Sequence, residues 1–89
     1  MIKHFRITNE SGLHARTATI MVNLAVNYDS EITLKALKKE VDFKSIMGVM
    51  SLGLYEGAEI EIIVSGHDEE EAMDAIIHKL FDLHLGKEI

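Results

Sequence analysis

Apolar and polar positions change period several times along this 89-residue chain, and each change marks an element. Residues 2–8 set Phe5 and Ile7 on one side of an extended segment and predict a strand. Residues 15–27 place Ala18, Met21, Val22 and Ala25 at helical spacing, and Tyr28-Asp29-Ser30 ends that helix. Residues 31–37 put Ile32 and Leu34 on one face, and residues 40–44 do the same with Val41 and Phe43. Together they predict a hairpin about Lys38-Lys39, without the Asn-Gly or Asp-Gly usual in tight turns. Residues 45–53 read as a short apolar helix capped by Ser45 and ended by Gly53. Gly57 leads into a strand over 59–65, with Ile60, Ile62 and Val64 facing inward. A last helix is predicted over 69–84, opened by an Asp68/Glu71 capping box. Its apolar stripe is Ala72, Met73, Ile76, Ile77, Leu80 and Phe81.

The order β-α-β-β-α-β-α predicts an α+β fold. Every amphipathic element is satisfied if the helices cover one face of an open, antiparallel-rich sheet. Residues 1–89 suit one domain, and a 47% hydrophobic content supports one core. No cysteine is present, so disulfides and thiol chemistry are excluded. No apolar run approaches the ~20 residues of a membrane span, and the N-terminus lacks the apolar stretch of a signal peptide. A cytoplasmic location away from membranes is therefore expected. The net charge is −6 and the basic residues are scattered, which argues against nucleic acid as a partner. No glycine-rich phosphate loop occurs. No histidine pair has zinc-ligand spacing backed by carboxylates or thiols, so neither a metal nor a cofactor is expected.

The chemistry converges on residues 11–19, Ser-Gly-Leu-His-Ala-Arg-Thr-Ala-Thr. A Ser11-Gly12 turn leads into His14, at the predicted start of the first helix. The first amides of a helix lack internal partners and the macrodipole is positive there, which favours an anion. A nucleophilic imidazole at His14, the Arg16 guanidinium and free N–H groups at Ala15, Arg16 and Thr17 are the parts needed to accept, hold and release a phosphoryl group. His4, His67, His78 and His84 read as ordinary surface or packing residues. A Ser-His-Asp hydrolase built on Ser11 lacks an orienting acid other than Glu10. Ser45 reads equally as a cap or as a phosphorylation site, because a phosphate suits a helix start. Ile46, Met47 and Met50 read equally as core or as an exposed docking patch.

Two motifs, Ser11-Gly12-Leu13-His14-Ala15-Arg16 and Lys44-Ser45-Ile46-Met47-Gly48-Val49-Met50-Ser51-Leu52-Gly53, resemble those of HPr, in its Gram-positive type. This family is the histidine-containing phosphocarrier of the bacterial phosphoenolpyruvate-dependent sugar phosphotransferase system. The resemblance implies an open-faced β-sandwich with a four-stranded antiparallel sheet covered on one side by three helices. It implies a stoichiometric carrier rather than an enzyme, a monomer, phosphorylated on Nδ1 of His14 by enzyme I and donating to sugar-specific IIA domains. Arg16 would help hold the phosphate. Ser45 would be the target of the HPr kinase/phosphorylase and would promote binding to catabolite control protein A. Ser11, Ala15, Thr19, Asn23, Ile46, Met47 and Met50 would form the shared docking face. A purely regulatory HPr-like protein acting through phosphoserine is the rival within the family, and such paralogues lack the histidine. A small acid–base or ligand-binding module is the rival outside it. Thr17 departs from the family pattern His-Ala-Arg-Pro; threonine adds an N–H and a hydroxyl where proline has neither.

Overall fold

Alternating side chains on extended segments produce one mixed-length antiparallel sheet, on which helical segments lay their apolar stripes. The computed structural model describes residues 1–89. Its elements are β1 (Ile2–Ile7), α1 (Ala15–Ala25), β2 (Glu31–Ala36), β3 (Lys39–Asp42), α2 (Ile46–Ser51), β4 (Glu59–Ser65), α3 (Glu69–Asp82) and β5 (Gly86–Glu88). The strand order is β3-β2-β4-β1-β5, and every neighbouring pair is antiparallel. Phe5 and Ile7, Ile32 and Leu34, and Ile60, Ile62 and Val64 are buried on one face. They join Ala18, Met21, Val22 and Ala25 of α1, Val49 of α2, and Ala72, Met73, Ile76 and Leu80 of α3 in one apolar cluster. Along the other face, register sets Arg6 against Glu59, an ion-paired hydrogen bond of 3.0 Å, and His4 against Glu61, with His4 Nε2 2.9 Å from the Glu61 carboxylate.

The α+β class and the helix-covered sheet agree with the sequence reading, but the sheet has five strands rather than four. β5 pairs with β1, setting Gly86 against Ile7 and Glu88 against Phe5. A Cβ at Gly86 would collide with the Arg6 carbonyl, so only glycine lets this edge approach. Three residues are too few to show an alternation.

Three local expectations also fail. The β2–β3 hairpin turns on Leu37 and Lys38, both left-handed with φ of 53° and 67°, and not on Lys38-Lys39. Asp68 and Glu71 do not form a capping box. The Asp68 side chain makes no bond to the start of α3. Its carboxylate instead accepts the Asp29 and Ser30 amides, at 2.9 and 3.0 Å, and the Ser30 hydroxyl. Phe81 leaves the stripe and is 66% exposed. At about 100° per residue it falls beyond half-buried Ile77, past the rim of the sector centred on Ile76 and Leu80.

Candidate functional site

The site begins with a tight turn at residues 9–12. The Asn9 side chain donates to the Gly12 carbonyl at 2.9 Å, and the Gly12 amide donates to the Asn9 carbonyl at 3.2 Å. Gly12 has φ +64°, and a Cβ there would strike the Leu54 carbonyl. Glycine is therefore required both for the left-handed backbone and for the close approach. The Leu13 amide donates to that same Leu54 carbonyl at 3.1 Å, and the buried Leu13 side chain joins the core. The residue before His14 is thus fixed by backbone and side chain together. Asn9 was missed in the sequence, although an asparagine three residues before a glycine is a turn signal of its own.

His14 is the N-cap residue of α1, with extended backbone (φ −96°, ψ −179°) and no capping bond from its ring. The ring is half-buried and makes no hydrogen bond to Glu10, Ser11 or any other side chain. The helical ladder opens with the Ala18 amide donating to the His14 carbonyl at 2.8 Å. The amides of Ala15, Arg16 and Thr17 lie ahead of that rung and have no acceptor in the protein. Ala15 and Arg16 are exposed. Thr17 is buried, and its hydroxyl donates to the His14 carbonyl at 3.0 Å. The helix end thus already engages the proton of that hydroxyl. The arrangement presents an imidazole, a guanidinium and backbone donors at one positive helix end, a setting for a transferable anion.

Ser45 is the N-cap residue of α2, and its Oγ accepts the Gly48 amide at 3.0 Å. In the apolar run that follows, Val49 and Leu52 are buried, whereas Ile46, Met50 and above all Met47, 84% exposed, face outward. Ser11 and Asn23 are exposed and Thr19 is half-buried, with its hydroxyl donating to the Ala15 carbonyl at 2.8 Å. α1 packs against α2, and these two helices carry all the predicted site residues except His14 and Ser45, which directly precede them, and Ser11, which lies in the turn before His14.

A second polar cluster was not visible in the sequence. Asp29, His67 and Asp68 come together between the α1–β2 loop and the start of α3, with His67 Nε2 2.9 Å from Asp29 Oδ2. The Asp29 hydrogen bond, followed by the Asp68 charge, raises the His67 pKa above 6.5. The Ser30 hydroxyl, then the Asp29 amide, hold Asp68 down to about 2. These bonds tie the Asp68 carboxylate to a loop and keep buried Ser30 satisfied.

A family model described as the PTS HPr component phosphorylation site matches residues 2–81. Among solved structures, the chain is similar to the histidine-containing phosphocarrier protein of Mycoplasma, at 36% identity and a TM-score of 0.94, covering 97% of this chain and 98% of that one. It is similar to the phosphocarrier protein HPr of Bacillus anthracis, at 35% identity and a TM-score of 0.82, covering 89% and 94%. It is also similar to Crh, the catabolite repression containing protein of Bacillus subtilis, described as a swapped dimer, at 35% identity and a TM-score of 0.73, covering 86% and 88%. No helix of the molecule is long and apolar enough to cross a membrane.

Proposed function

This chain belongs to the HPr family of phosphotransferase-system phosphocarriers, which are carriers rather than catalytic enzymes, and from that premise we propose that it relays a phosphoryl group from phospho-enzyme I to sugar-specific IIA domains through His14. The observation that carries this reading is the N-cap position of His14, whose unbonded ring shares one helix start with three partnerless amides and an exposed Arg16. In the transfer, the donor's phosphorus–nitrogen bond breaks as a bond to His14 Nδ1 forms. The electron pair of the broken bond stays on the donor nitrogen, and no proton moves if Nδ1 is the unprotonated nitrogen of a neutral ring. Such transfer is mostly positioning and charge stabilisation, which the helix end, Arg16 and the amides of Ala15 and Arg16 supply. A shallow site suits a carrier, because a group bound too well is not passed on.

Regulation at Ser45 is the second part of the reading. Its hydroxyl sits at a helix start beside the exposed Ile46, Met47 and Met50. A kinase-added phosphate there is tolerated by the fold and changes the docking face used by enzyme I, the IIA domains and, once phosphorylated, catabolite control protein A. The similarity to Crh supports this part, and the intact His14 favours the carrier over a purely regulatory protein. A single cytoplasmic domain acting as a monomer completes the proposal.

The test is incubation with enzyme I and labelled phosphoenolpyruvate. Wild type is expected to gain acid-labile, alkali-stable phosphate, and His14→Ala to gain none while keeping its circular dichroism. Acid-labile phosphate on His14→Ala at the wild-type rate would mean that another residue is the nucleophile.

A further inference from the structure

The Thr17 amide is a donor that the transfer scheme above leaves unused. Thr17 is 6% exposed, and its hydroxyl is engaged by the His14 carbonyl. That carbonyl also accepts the Ala18 amide, whereas the amide of Thr17 itself meets no acceptor in the protein. Thr17 is a buried residue, and an N–H left without a protein partner at a helix start calls for an outside acceptor. Thr17 is the third residue of α1, and His14 is its N-cap. An N-cap side chain ordinarily offers its acceptor to the amide of the second or third helical residue. The His14 ring offers none. A phosphoryl oxygen carried on that ring supplies an acceptor in the capping place, toward the Arg16 and Thr17 amides.

We propose that the backbone amide of Thr17 is a positioning donor to the phosphoryl group on His14, prolonging the life of the phosphohistidine and slowing its release to the next acceptor. The inference rests on the carrier reading of His14. An added donor that acts on the carried state lowers that state relative to the transition state for leaving, and the group departs more slowly. The hydroxyl contributes indirectly, by fixing the His14 carbonyl and with it the entry of the helix.

The variants Thr17→Ala and Thr17→Pro separate the two effects. Both remove the hydroxyl, but only proline removes the amide N–H, and proline is tolerated in the first turn of a helix. Wild type and both variants are phosphorylated with enzyme I and phosphoenolpyruvate. Decay of the phosphohistidine is followed by phosphorus NMR at neutral pH, and the Thr17 amide is followed by proton–nitrogen correlation in wild type. The Thr17 amide proton is expected to move downfield on phosphorylation, as a newly hydrogen-bonded amide does. The Thr17→Pro phosphohistidine is expected to decay about tenfold or more faster than that of Thr17→Ala, the scale of one hydrogen bond to a charged group. Equal decay of the two variants, or an unmoved Thr17 amide while His14 carries phosphate, overturns the inference alone. Wild type that takes no phosphate at His14 overturns the carrier reading with it. If Thr17→Pro does not fold, the wild-type amide shift decides.

Discussion

Arg16 stands two residues beyond His14, exposed and outside every ion pair of the molecule. A guanidinium offers five donors and no acceptor, so an unpaired one at a helix start is available to phosphoryl oxygens. Arg16→Ala removes no internal bond and should leave the melting temperature unchanged. Its single-turnover transfer should slow by about tenfold or more, equivalent to ~1.5–3 kcal/mol for hydrogen bonds to a charged group. Unaltered rates in both directions would remove Arg16 from the mechanism. Asp68 and His67 act instead on stability. Asp68 is held near 2 by the Ser30 hydroxyl and then the Asp29 amide, so the folded chain favours the carboxylate more than the unfolded chain does. That contribution is complete above the ordinary value of 3.8 and is lost as the pH falls through about 2. His67 is raised by Asp29 and then Asp68, so its solvent-screened contribution is complete below 6.5 and is lost as the pH rises through its folded value. Urea midpoints should therefore fall on the acid side and, as His67 loses its proton, on the alkaline side. Asp68→Asn should lower the neutral-pH midpoint and flatten the acid limb. An acid limb of wild-type steepness in Asp68→Asn would assign acid sensitivity to other carboxylates.

At the scale of elements, the end of α3 shows how a local rule is met by an unexpected residue. The His84 amide donates to the Phe81 carbonyl at 2.9 Å and the Leu85 amide to the Leu80 carbonyl at 3.0 Å. This is a Schellman closure, with buried Leu85 and Leu80 supplying its apolar contact. His84 occupies its left-handed position with φ 55°, where glycine is the usual residue. His84→Gly should therefore stabilise the chain by roughly 0.5–1 kcal/mol in urea unfolding, since the side chain is exposed and the steric cost of left-handed backbone disappears. A loss of stability would mean that the imidazole makes a compensating contact. The same comparison explains what could be read in advance. Phe5 and Ile7, the α1 stripe and Ile60, Ile62 and Val64 repeat at periods of two or 3.6, so their elements and faces were legible. His14 was legible as a helix start because a Ser-Gly turn and an apolar helical stripe flank it. The Ser30–Asp68 bond joins positions 38 apart and leaves no periodic trace, so Asp68 was read as a cap for the helix beside it. β5 was hidden because it exists only by pairing with a distant strand.

Across the whole molecule, acidic residues outnumber basic ones by 15 to 9, while the exposed residues of α2 are uncharged and, at Ile46, Met47 and Met50, apolar. A partner that docks there gains from burying Ile46, Met47 and Met50, and methionine adapts to more than one partner surface. Helices α1 and α2 pack together, so His14, at the start of α1, and this apolar surface are carried on neighbouring elements. A charge placed at Ser45 enters that arrangement at its edge. In the free protein it is solvated at a helix start and complements the dipole, so the fold should hold. In a docked complex the same charge must lose water against an apolar contact unless the partner supplies a cation, and that desolvation is costly. Ser45→Asp should therefore raise the apparent KM for the carrier in phosphorylation by enzyme I, by about tenfold for each ~1.4 kcal/mol of lost docking energy, with circular dichroism and kcat little changed. Met47→Ala, which removes the most exposed apolar side chain of α2, should raise KM in the same assay without adding charge. If both variants are used as well as wild type, this surface is not where enzyme I docks. If Met47→Ala is impaired and Ser45→Asp is not, the docking surface stands and the carboxylate is a poor substitute for phosphate, which kinase-phosphorylated protein in the same assay would establish.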